Sequence, residues 1–253
     1  MRRALAFGLL LALVPQPGLA WPAETMAALS RDARKLLPRS LNRLLGERES
    51  FVLDETRRFP PDLARALAQD LPSGRLSPET LKALAAHTDG AFLLLKQGQV
   101  TEGLVQLGGL LRIPADLSDP VLAVGPEGWP AGLTREYYAL FTANLAKMPV
   151  VLDDPAALKL TRKELPALWQ SLVERSRVQV PVMREALFVN GRVLDHRRLD
   201  YRSPAWAVSS IAYSRAVTGA AATWLAVWRE ANGDTTRMPM TREVVPQPQP
   251  ERR

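Results

Sequence analysis

Few side chains in this sequence can do chemistry, and counting them narrows the field. There is no cysteine, which removes thiol nucleophiles, disulfides, iron–sulfur clusters and thiolate zinc sites. The histidines are His87 and His196 alone. Imidazole is the commonest zinc ligand and general base, so a histidine-rich metal centre is excluded by number. Neither histidine sits in a recognisable nucleophile motif, and Ser–His–Asp catalysis has no support. The other polar candidates each carry a structural reading. Asp116 can cap a helix or pair with a nearby cation. Asp153-Asp154-Pro155 reads as a turn and helix start. Trp21, Tyr137 and Tyr138 read as packing aromatics, and His87 as a helix-surface or core histidine. The run Arg192, His196, Arg197, Arg198 and Arg202 is either a solvated face or a place for an anion.

The elements that must position these residues are helices. Apolar residues recur at helical spacing from Pro22 to Leu37, from Leu41 to Arg58, and after Pro60-Pro61 through Leu63 and Leu67. Ser77-Pro78-Glu79 is a helix start, with an N-cap serine, proline at N1 and an acid in the first turn; that helix runs to about Gln97. Thr101-Glu102 opens another, through Leu111. Residues 114–130 read as irregular, with four prolines. Thr134 to Lys147 is helical again, and Thr161 with Glu164 makes a capping box for a helix to about Val178. Asn190-Gly191 is a hairpin turn or a helix C-cap. Ser203-Pro204 begins the longest helix, ending near Gly233. Helices with short links and almost no alternating pattern predict an all-α, multi-helix bundle. Residues 83–114 have the look of one tetratricopeptide helix pair, but one pair is not an array.

The chain has 253 residues, 47% of them hydrophobic and 23% charged, which is ordinary globular usage. Its 33 Lys and Arg against 26 Asp and Glu leave +7, a surplus that suits solubility or contact with anionic surfaces. Arg2 and Arg3 precede an apolar run of eleven residues, Ala4 to Val14, too short to span a bilayer. Pro15, Pro17 and then Gly18-Leu19-Ala20 complete the pattern of a secretory signal peptide. The expected organisation is therefore a signal over 1–20 cut after Ala20, an all-α domain over 21–240, and a Pro/Gln-rich disordered tail over 241–253. Export to the periplasm or beyond follows, with no transmembrane segment left after signal removal.

Residues 107–122 then carry a resemblance. Leu107-Gly108, Arg112, Asp116, Pro120 and Leu122 follow the spacing of the core motif of bacterial zinc-dependent phospholipase C and the related single-strand-specific nucleases. The family pattern there is Leu-Gly leading to His, three residues, Asp, five residues, His, with Pro two before the second His. Arg112 and Leu122 stand where the histidines belong. The family's mature chain begins with a zinc-binding Trp, matched by Trp21, and its nucleases have a His five residues later, where this chain has Met26. A family His and Glu four apart are matched by Thr134 and Tyr138, or, in an offset registration, by Gly132 and Glu136. Asp54 and Asp62 are both candidates for the family's remaining aspartate. The resemblance covers residues 21–148.

The resemblance implies a helical bundle built for phosphodiester hydrolysis on a zinc cluster, in which metal activates water and clamps phosphate oxygens. With Arg112, Leu122, Met26 and Thr134 at ligand positions, the implied site is vestigial: a fixed cation repels a dication, and Leu and Met offer zinc nothing. Pro114 is also expected to kink or start the helix that presents Asp116. The reading is an exported, non-catalytic homologue with no cofactor, binding an anionic lipid, a phosphate-bearing ligand or an envelope protein; nucleic acid is not expected. Arg112 is the natural phosphate receptor, since guanidinium recognises phosphate without metal, and Trp21, Asp116 and Tyr138 complete the candidate ligand-binding set. The alternatives are a hydrolase with a reduced metal site, built from Trp21, Asp116 and another carboxylate, and a helical adaptor of tetratricopeptide type.

Overall fold

Helix starts read from the sequence appear in the computed structural model as hydrogen bonds. Ser77 Oγ accepts from the Thr80 N–H at 3.2 Å, and Ser203 Oγ accepts from the Trp206 N–H at 3.2 Å. Glu164 reaches back to accept from the Thr161 N–H at 2.7 Å. Each satisfies a backbone donor at the helix start, in the first turn for Ser77 and Ser203 and at the N-cap itself for Thr161, that the helix leaves open. The structure describes residues 21–124 and 128–239; the expected signal and the expected tail lie outside them, as does Gly125.

The described chain is mostly helical. In order it forms α1 (Ala23–Arg34), α2 (Arg39–Gly46), α3 (Glu49–Arg57), α4 (Pro61–Asp70), α5 (Pro78–Lys96), α6 (Val100–Gly109), α7 (Arg112–Leu117), α8 (Leu133–Asn144), α9 (Leu165–Leu187) and α10 (Pro204–Glu230), with a two-stranded hairpin, β1 (Phe188–Val189) and β2 (Arg192–Val193), between the last two helices. Among the described residues no helix is long and apolar enough to cross a membrane.

Four local outcomes differ from the sequence reading or resolve it. The helix expected over 41–58 is two, because Gly46, a poor helix former, ends α2. Helix continues into the stretch expected to be irregular: α7 starts at Arg112, and Pro114 falls in its first turn, where a missing N–H costs no intrahelical bond. Helix α9 runs past Val178 to Leu187 through Pro181, which lies on the exposed side, where the bypassed carbonyl can turn to water. Asn190 and Gly191, at φ 51° and 74°, make the hairpin turn, since two left-handed residues match the twist of paired strands.

Helix α10 is buried nearly all round, as a helix apolar on every side must be. Helices α1, α5, α6, α7, α8 and α9 all pack on it. Small residues let them close in: a Cβ on Gly219 would lie 2.8 Å from Pro114 Cβ in α7 and 3.0 Å from Leu172 Cδ1 in α9. The start of α9 is tied to the end of α10, where Arg162 Nε donates to Glu230 Oε2 at 2.7 Å.

The Leu107-Gly108-Gly109 stretch serves the crossing of α6 on α3. A Cβ on Gly108 would sit 2.7 Å from Val52 Cγ1 and closer still to Cγ2, and one on Gly109 would meet Glu55 Cγ at 2.6 Å. Branched Val52, buried in the core, has little room to give. Gly108→Ala should therefore lower stability by about 1–3 kcal/mol through overpacking, outweighing the roughly 1 kcal/mol that alanine gains in helix propensity. Adding Val52→Ala should restore part of the loss in a urea melt; no restoration would place the defect elsewhere.

Candidate functional site

The end of α7, the turn after it and one face of α8 meet around Trp21. That residue has no exposed surface, and its indole Nε1–H donates to the Ala115 carbonyl of α7 at 2.9 Å. Its ring lies edge-on to Phe141 at 4.5 Å and tilted to Tyr137 and Tyr138 at 6.1 and 6.3 Å. Tyr137 and Phe141, four apart on α8, present one face to it. A residue at the start of the described chain is thus built into the same aromatic cluster as the middle of the sequence.

Beside this cluster, Arg112 Nε donates to Asp116 Oδ2 at 2.5 Å, an i,i+4 pair along α7. Both residues are buried, at 5% and 3% exposure, and the guanidinium lies 5.6 Å from the Phe59 ring centroid. Arg112 spends its charge inside the protein, so an incoming phosphate would have to compete with Asp116. Burial pushes the Asp116 carboxyl up from its ordinary range, against the pull of Arg112. Its Oδ1 has no hydrogen-bond partner among the described residues, and neither has the Tyr137 hydroxyl.

Asp119, one turn on, was not singled out from the sequence. It is wholly buried. Its Oδ1 accepts from the Val121 N–H at 2.9 Å, and its Oδ2 accepts from the Tyr138 hydroxyl at 2.7 Å. Burial pushes its carboxyl up to about 7, with the two hydrogen bonds opposing and Asp116 adding to the rise. The Tyr138 and Tyr137 hydroxyls are held well above their usual range, by burial first and then by the Asp119 charge. The available signal was Asp followed by Pro, a turn former three residues after another acid.

The sequence-predicted residues therefore sort by place. Trp21, Arg112, Asp116 and Tyr138 come together, with Asp119 and Tyr137. Met26 is core, at 2% exposure on α1. Leu122 is half-buried in the turn after α7, its N–H donating to the Asp119 carbonyl at 3.2 Å. Thr134 is half-buried in the first turn of α8, four residues before Tyr138 on the same side of the helix. Gly132 is the left-handed residue preceding α8. The side chains at the matched positions, a paired guanidinium at 112, a thioether at 26, an isobutyl group at 122 and a hydroxyl at 134, are poor zinc ligands.

The remaining polar candidates lie elsewhere. His87 packs edge-on to Phe59 at 5.5 Å, its pKa lowered by burial. It lines a cleft of about 560 Å³ between α4 and α5 with Asp62, Asp70 and Glu79. Asp54 pairs with Arg57 and Asp62 with Arg65, all on exposed helix surface. Asp154 Oδ1 accepts from the Ala156 N–H at 2.9 Å, as a turn former does. His196 bonds to Glu136 of α8, its ring Nδ1 at 2.8 Å and its N–H at 3.1 Å from Oε2. This contact chiefly holds the Glu136 carboxyl down at about 2, and it ties the segment after the hairpin to α8. The chain matches no protein-family model, no curated protein and no solved structure.

Proposed function

We propose that this chain is an exported, non-hydrolytic relative of the zinc-dependent phospholipase C and single-strand nuclease family, which acts by binding an anionic, phosphate-bearing partner. One observation supports the family part of this reading. Trp21, Arg112, Asp116 and Tyr138, aligned to the family by spacing alone, meet in one buried cluster although up to 117 residues separate them. Arg112 and Asp116 are neighbours on one helix whatever the family, so the support comes from Trp21 and Tyr138 joining them. In this reading the Arg112 guanidinium takes the place of a metal as the positive charge beside Asp116, and the Tyr138 hydroxyl replaces a carboxylate ligand. Part of the positive charge of the old cleft is kept, while the Lewis acid and its activated water are given up. The gathering of helices around α10 favours a bundle over a tetratricopeptide groove.

Turnover is the discriminating measurement. Purified chain, with and without added zinc, should leave a phosphocholine ester and a dinucleotide diester intact, at the rate of a boiled control. It should co-sediment with vesicles containing anionic phospholipid and not with purely zwitterionic ones. Ester cleavage that disappears in Asp116→Asn would overturn the reading and restore a reduced metal site.

A further inference from the structure

On the far side of α8 from the aromatic cluster, three ligand-type side chains from two elements converge. Glu136 comes from the first turn of α8. Asp195 and His196 come from the turn after the hairpin, about 60 residues later. One ligand atom from each lies within 4.8 Å of the other two. His196 Nδ1 is 2.8 Å from Glu136 Oε2 and 3.5 Å from Asp195 Oδ1. Tetrahedral zinc with N and O ligands at about 2.0–2.1 Å sets its ligand atoms roughly 3.3 Å apart. One of these contacts must open slightly to reach that spacing, and the other must close slightly.

We propose that Glu136, Asp195 and His196 form a mononuclear divalent-metal site suited to zinc. Each carboxylate is already oriented by backbone: Glu136 Oε2 by the His196 N–H at 3.1 Å, Asp195 Oδ1 by the Arg197 N–H at 2.9 Å. Such outer contacts set ligand direction before a metal arrives. Arg135 engages the other Glu136 oxygen, Oε1, at 3.0 Å, so its charge is turned to the side away from the ligand atom. Glu136 and His196 are mostly shielded, and Asp195 is half exposed. An ion held by one nitrogen and two oxygens would keep its remaining positions for water or a further ligand. Binding needs the Nδ1 lone pair, so a proton on Nδ1 moves to Nε2 or leaves to solvent. Scarcity of histidine excludes a histidine-rich centre and leaves room for a site with one imidazole. The proposal does not rest on the family reading: Asp195 and His196 lie outside residues 21–148, which carry the resemblance.

Zinc titrated against a chromophoric chelator, with untagged chain stripped of metal, should show one ion per chain. His196→Ala and Glu136→Gln should each weaken it by about tenfold or more, while His87→Gln, which removes the other imidazole of the chain, leaves it unchanged. In the unsubstituted chain, zinc should shift the Nδ1 resonance of His196 and leave that of His87 in place; this reads the site even if a variant folds poorly. Absence of saturable binding, or an unmoved His196 resonance, overturns the proposal. So does zinc that survives His196→Ala, or zinc lost in His87→Gln instead.

Discussion

Arg112→Met should destabilise the chain by about 3–5 kcal/mol, the range for removing one partner of a buried ion pair. The cost comes mainly from what stays behind. Asp116 is 3% exposed and loses its guanidinium donor, while its Oδ1 has no other partner among the described residues. A stranded carboxylate must then ionise unpaired or stay protonated. Methionine retains much of the arginine's apolar stem, so packing against Phe59 changes least. Replacing both partners, as Arg112→Met with Asp116→Leu, should recover most of the loss, since a buried pair exchanged for apolar groups of similar volume is often near neutral. Urea midpoints of the two single variants and the double variant test this. A double variant as unstable as the sum of the singles would mean that the two charges do not depend on each other.

Stability should fall as pH rises through the weakly acidic range, with Asp119 as the main source. Its carboxyl titrates at about 7 in the folded protein, from an ordinary value of 3.8. Between those values the folded state holds a proton that the unfolded chain has released. Folding is therefore favoured at the acid end and loses stability as pH climbs to about 7, after which the penalty is complete. A shift of about three units sets an upper bound of about 4 kcal/mol. Asp116, also raised by burial, pushes in the same direction. Asp119→Asn keeps an oxygen for the Val121 N–H and removes the titration. Its melting temperature should fall less between pH 5 and pH 8 than that of the parent chain, with Asp116 supplying what remains. Parallel pH profiles for the two would rule Asp119 out as the source.

The sequence reading succeeds where a local signal decides the outcome. Ser77, Thr161 and Ser203 sit before helices because their side-chain oxygens meet local backbone or side-chain partners within three residues. Helix α10 was legible as the longest helix, but its burial on nearly all sides, with Ser210, Ser214 and Thr218 included, was not. Boundaries were less legible. Gly46 and Pro181 are both helix-breaking residues by local preference, yet one ends a helix and the other lies within α9. The difference is set by what surrounds each backbone.

From sequence alone came the helices, their caps and the set of four spaced residues, because periodicity, capping and motif spacing are properties of neighbours along the chain. Tertiary structure alone decided which charges meet. Asp119 accepts from a hydroxyl 19 residues away, Trp21 donates to a carbonyl 94 residues away, and Glu136 receives His196 from 60 residues away. Nothing local in Asp119 distinguishes it from a solvated turn aspartate such as Asp154. Only burial, which depends on every helix packed around it, turns an ordinary carboxylate into one that keeps its proton near neutrality.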